Sequence, residues 1–125
     1  MADYTAKKIN DMEAGFGGGF VKVRAELGVT SFGMQVIQMP PEYADYPQHD
    51  HEEQGQEEVY LAIGGSGWIE IDGERVELDP DTFVRVGPAA KRKLFAGSEG
   101  LRVLALGGAP GEVYKLSAVG ELEGG

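Results

Sequence analysis

The chain reads as an all-β protein, a small antiparallel β-barrel or sandwich, and three observations point there. Its apolar residues fall in short segments rich in β-branched and aromatic side chains. Those segments recur at roughly even spacing, and many of the 20 glycines in the 125 residues stand between them as turn punctuation. A chain of this length supports one core, so a single domain is expected over 1–125. The barrel is expected at about 20–108, with an N-terminal arm over 1–19 and a C-terminal tail over 109–125.

The clearest element is a hairpin in GWIEIDGERVEL, where Trp68 to Ile71 and Arg75 to Leu78 flank Asp72-Gly73. That pair suits the positive φ angles of a two-residue turn. Further strands are expected in FVKVRAEL (20–27), SFGMQVIQM (31–39), EEVYLAI (57–63), TFVRV (82–86), RKLFA (92–96) and LRVLAL (101–106). In the second of these, either Gln35 or Met34 projects toward the barrel interior and a ligand, depending on register. Helical signal is weak: Ile9, Met12 and Phe16 have suggestive spacing, and Val113 with Leu116 could form one turn.

Composition excludes several functions. The 21 acidic against 11 basic residues leave a net charge of −10, which repels phosphate backbones and anionic lipid headgroups. Neither nucleic acid nor membrane is expected as a partner. No apolar run approaches the ~20 residues that span a bilayer, and the N-terminus lacks a secretory pattern, so a cytoplasmic location is expected. Without cysteine there is no disulfide or thiolate, and any metal must be held by histidine, carboxylate, amide or backbone oxygen.

Both histidines lie in PQHDHEEQGQEEVYLAIGGSG, Pro47 to Gly67. In an extended segment His49 and His51 point the same way. Alternation along EEVYLAI places Glu57, Val59, Leu61 and Ile63 on one face, the more apolar one. A carboxylate facing a core needs a cation or hydrogen-bond donors, so Glu57 is the candidate partner of the histidines, brought opposite them by a turn bending at Gly55. Two imidazoles and one carboxylate suit a divalent transition metal such as Fe, Mn, Ni, Co, Zn or Cu and leave coordination positions open. The alternative is an exposed acidic loop whose imidazoles simply titrate near neutrality.

HDHEEQGQEEVYLAIGGSG resembles the first cupin motif: two histidines one residue apart, a glutamate after a short gap, then six residues and a glycine, here Glu57 to Gly64. The gap from His51 to Glu57 is five residues where three or four are usual, the extra one falling in Gln54-Gly55-Gln56. DTFVRVGPAAKR, Asp81 to Arg92, resembles a degraded second motif, with Asp81 at its first glycine, Pro88 one place late and Arg92 at its metal-binding histidine. The resemblance implies a cupin-type barrel, a double-stranded β-helix of jelly-roll kind, as a homodimer. It also implies a divalent metal on His49, His51 and Glu57. Arg92 then either binds an anionic small molecule in the barrel or pairs with Glu57 in place of the metal. The first arrangement suits a metal-dependent oxygenase or isomerase, the second a non-catalytic binding or sensor module.

Other features read as structural. Gly17-Gly18-Gly19 and Gly64-Gly65-Ser66-Gly67 lack the residues that accompany phosphate loops. Lys91 and Lys93 are expected outside the barrel with Arg92 inside. Trp68 shares a face with Glu70 and Asp72 and is expected outside as well. Spacing picks out no serine, histidine and acid set for a nucleophilic hydrolase.

Overall fold

A computed structural model of the protein describes residues 2–114. Seven strands form one antiparallel sheet: β1 (Ala14–Gly15), β2 (Phe20–Val21), β3 (Gly33–Met39), β4 (Glu57–Ile71), β5 (Glu74–Leu78), β6 (Val84–Val86) and β7 (Arg92–Gly108). Their hydrogen-bonded order is β1-β2-β3-β7-β4-β5, with β6 on the free side of the first half of β4. Among the described residues no helix is long and apolar enough to cross a membrane.

The two long strands shape the molecule. β4 and β7 pair from Glu57↔Gly108 to Ala62↔Val103, then again from Gly67↔Ala96 to Ile71↔Arg92. Between these stretches the register shifts twice, leaving residues 97–100 of β7 as a bulge. Bulges bend strands and carry them from one sheet layer to another. The inner residues of both halves, Tyr60 and Ala62 from one and Ile69, Leu94 and Ala96 from the other, accordingly meet in one buried cluster. Each large aliphatic side chain buried there contributes about 2 kcal/mol. What the sequence presents as separate segments at 57–63 and 68–71, or 92–96 and 101–106, are bent halves of single strands.

The expected hairpin is present. Asp72 and Gly73 have φ of 48° and 86°, the paired positive angles of a type I′ turn. The strand expected over 20–27 is only partly one. After β2 the chain turns into a helix, α1 (Val23–Leu27), closed by Gly28 at φ 79°, whose N–H donates to the carbonyls of Arg24 and Ala25. Val23 and Leu27 are one helical turn apart and both reach a second apolar cluster with Val21 and Val36, so tertiary packing selects the helical period over the alternating one. Ile9–Asp11 is a single 3-10 turn, and Phe16–Gly18 is a tight turn with positive φ at all three residues. Leu116, expected to join Val113 in a turn, lies outside the described residues.

The bend depends on missing side chains. Gly65 has φ 75°, and a Cβ there would run into the Gly100 carbonyl, backbone against backbone. Gly65→Ala should therefore lower the urea midpoint by the equivalent of about 3 kcal/mol, strain and backbone displacement together. Gly73→Ala, at a positive φ but with nothing within 4 Å of the added carbon, should cost about 1 kcal/mol. Equal losses in the two variants would contradict this account of the bend.

Candidate metal centre

The segment bearing the histidines is tied down by its backbone. The N–H of His49 donates to the Arg92 carbonyl (3.0 Å), that of Arg92 to the His49 carbonyl (2.8 Å), and that of His51 to the Pro88 carbonyl (2.9 Å). A turn over 52–55, with Gly55 at φ 66°, then returns the chain to β4. The two rings end 4.9 Å apart, edge to face. The paired imidazoles and the bend at Gly55 match the sequence reading.

The carboxylate beside them is that of Glu58. Glu58, Tyr60 and Ala62 are the buried positions at the start of β4, while Glu57, Val59 and Leu61 are half-buried and Ile63 is exposed. Glu57 therefore sits on the opposite face from the one expected, paired at the surface with Arg85 at 2.7 Å. Choosing the more apolar face as the inner one fails here, because the inner face carries a buried acid, Glu58, whose charge is met by Arg92 and the Tyr60 hydroxyl. Exposed aliphatics carry little information, whereas a buried acid always needs an explanation. The legible signal was local: Glu58 and Tyr60 share a face, and a buried tyrosine needs an acceptor for its hydroxyl. Six residues, 52–57, now separate His51 from the glutamate, so the loop is longer than the motif spacing implied.

Glu58 is held by several groups. Its Oε1 accepts from the Tyr60 hydroxyl at 2.5 Å and from Arg92 Nη1 at 2.9 Å. Arg92 points inward as alternation implies and is fully buried, with Nη2 donating to the Gly87 carbonyl. Its expected partner Glu57 is out of reach on the far face, and its guanidinium lies behind Glu58 and off the cavity wall. It is thus the counter-charge of Glu58, with no side turned to a ligand. Burial pushes the Glu58 carboxyl up, but the neighbouring His51 ring, the Tyr60 hydroxyl and Arg92 outweigh it and hold the group below the usual carboxylate range. Burial, together with Glu58, raises Tyr60, which keeps its proton.

His51 is anomalous. Both ring nitrogens are buried and, among the described residues, lack a hydrogen-bond partner. Nε2 lies 3.1 Å from Glu58 Oε1, close enough for attraction but misdirected for a hydrogen bond. Two donors each about 2.1 Å from one ion stand about 3.0 Å apart at right angles and about 3.4 Å in a tetrahedron, so this separation fits shared ligation. His49 Nδ1 lies 3.2 Å from the Pro47 carbonyl, which can only accept, so Nδ1 carries the hydrogen and Nε2 keeps its lone pair. Burial also lowers the pKa of His49 and favours the neutral, ligating form. The donor atoms of His49, His51 and Glu58 all lie within 4.8 Å of one another, so the residues present fit a metal ion.

These side chains form part of the wall of a cavity of about 1,080 Å³. Gln35 lines it and Met34 does not, which settles the register of β3: Gly33, Gln35, Ile37 and Met39 face in. Tyr46 also lines the cavity, whereas Tyr60 belongs to the core. Trp68 stands outside the site, stacked on Phe95 at 5.1 Å with the Arg75 guanidinium 3.8 Å from its ring centroid.

No family model and no curated protein matches the sequence. Solved structures do match the fold. A cupin protein from Bacteroides fragilis is 24% identical, with 94% of this chain and 93% of that one covered and a TM-score of 0.72. A sugar phosphate isomerase from a cupin superfamily, from Silicibacter pomeroyi, is 14% identical over 82% and 74% of the two chains, with a TM-score of 0.66. A cupin 2 conserved barrel domain protein from Salinispora arenicola is 17% identical over 63% and 64%, with a TM-score of 0.53. Strand order, bent long strands and these likenesses agree: the chain has the all-β barrel fold of the cupins.

Proposed function

We propose that the barrel is a metal-dependent small-molecule site in which His49, His51 and Glu58 hold a divalent transition ion. The observation that carries this is the buried His51 ring, whose nitrogens have no partner although Glu58 stands 3.1 Å away. A buried polar atom without a partner costs about 1–3 kcal/mol, which a coordinated ion would remove. Bound there, the ion would lend Lewis acidity to an oxygen of the molecule in the cavity, the chemistry of an isomerase or oxygenase. The chain's own residues do the remaining work. Pro47 fixes the His49 tautomer, and Arg92 and Tyr60 fix the orientation of the Glu58 carboxylate.

The Arg92–Glu58 pair supports a second reading, a non-catalytic binding or sensor module without metal. Arg92 already neutralises Glu58, so among His49, His51 and Glu58 a dication would meet no uncompensated negative charge. Metal analysis separates the two. The metal reading expects near-stoichiometric metal in the full chain after incubation with Fe, Mn, Ni, Zn or Cu salts and dialysis. His51→Ala should abolish it, Glu58→Gln should weaken affinity by about tenfold or more, and Glu57→Gln should stay within about twofold. Metal in none of these proteins would leave the binding module standing.

The ion pair makes its own prediction under either reading. Arg92→Met strands a buried carboxylate and should cost about 3–5 kcal/mol in urea denaturation. Combining it with Glu58→Gln should recover much of that loss, because the uncompensated charge goes with it. Additive losses would show that Arg92 acts through packing alone.

A further inference from the structure

The cavity wall has a chemical character that the fold does not dictate. Among the described residues it carries no lysine or arginine, while Asp50, Glu53 and Glu58 all contribute to it. The one arginine expected to face a ligand, Arg92, is sealed behind Glu58. Five aromatic residues line the space: Phe16, Phe20, Tyr43, Tyr46 and Tyr114. Its polar groups away from the histidines include amides, among them Gln35 on β3 and Gln54 in the turn before β4. Amides recognise uncharged hydroxyl and carbonyl groups, and aromatic faces recognise flat rings.

Phe16 adds a second, independent observation. It is 61% exposed at the cavity rim, a large apolar side chain left facing solvent. Its φ is 52°, a left-handed conformation that is a genuine outlier for a bulky residue, and Gly17 and Gly18 follow with φ of 67° and 98°. Phe16 meets Phe20 edge to face at 6.3 Å and belongs to neither buried apolar cluster. Backbone outliers of this kind cluster at ligand clamps. Tyr43, 38% exposed, stands on the same rim.

We propose that the cavity takes an uncharged, flat-ring organic molecule, gripped at the rim by Phe16 and Tyr43 with one oxygen turned toward His49, His51 and Glu58, and that it rejects phosphorylated ligands. This rests on reading the barrel as a small-molecule site and specifies what enters it. The anionic ligand suggested by the position of Arg92 in the sequence is the class it excludes. An ion at the histidines would draw a phosphate in, so the exclusion is carried by the rest of the wall. There no lysine or arginine among the described residues can pair with a phosphate, and Asp50, Glu53 and the net charge of −10 repel it.

A matched pair of probes tests this: 2-naphthol and 2-naphthyl phosphate share a ring system and differ by the phosphate. Binding to the full chain is followed by probe fluorescence, before and after chelator treatment, with metal content measured on the same samples. The expected result is saturable binding of 2-naphthol, with 2-naphthyl phosphate weaker by about tenfold or more. Phe16→Ala and Tyr43→Ala should each weaken 2-naphthol by about fivefold, while Phe16→Tyr stays within about twofold. Equal or tighter binding of the phosphate, no saturable binding of 2-naphthol, or indifference to both alanine variants overturns the proposal. Binding of 2-naphthol by protein that takes up no metal would uphold the ring site while the metal reading fails. Stoichiometric metal without 2-naphthol binding would do the reverse.

Discussion

The site depends on one buried charge and its neutralisation. Glu58 sits inside the barrel on β4, and Arg92, at the start of β7 and fully buried, supplies the counter-charge at 2.9 Å. Neither could stay ionised there alone. Their contact ties the opening of one long strand to the opening of the other. It also anchors the histidine segment, because the Arg92 backbone exchanges two hydrogen bonds with His49 while its side chain reaches the Gly87 carbonyl. One residue thereby sets the position of the His49 backbone and balances the charge of the Glu58 carboxylate.

That arrangement is possible only because β4 and β7 bend together. In straight strands of 15 and 17 residues Glu58 and Ile69, an odd number of positions apart, would face opposite sides of the sheet. The bulge at residues 97–100, with Gly65 and Gly100 in left-handed conformations, folds the surface back so that both halves face one interior. The apolar half of that interior fills with Ile69, Leu94 and Val103, and the other half stays open as the cavity.

Much of this was legible in the sequence for identifiable reasons. Asp72-Gly73 could be read because the turn type demands its residues, and His49 and His51 because alternation holds wherever a segment is extended. The inward turn of Arg92 followed from the same rule. The glutamate was misread by one residue. Hydrophobicity favours the face with Val59, Leu61 and Ile63, whereas the buried face carries Glu58, whose charge is met by Arg92 and the Tyr60 hydroxyl. The helix at Val23–Leu27 was missed because five residues of VRAEL satisfy both periods, and contacts with Val21 and Val36 decide between them. The role of Arg92 as the partner of Glu58, and not of a ligand, depends on that one-residue phase and could not be read before it.

The central claim is that two imidazoles and the Glu58 carboxylate surround one ion. X-ray absorption at the metal edge of the loaded full chain tests it most directly, because imidazole rings give outer-shell scattering that carboxylates and water do not. The account predicts two imidazoles with oxygen donors completing the shell, and loss of one oxygen donor in Glu58→Gln but not in Glu57→Gln. A metal coordinated by oxygen alone, or an imidazole count unaltered by His51→Ala, would contradict it.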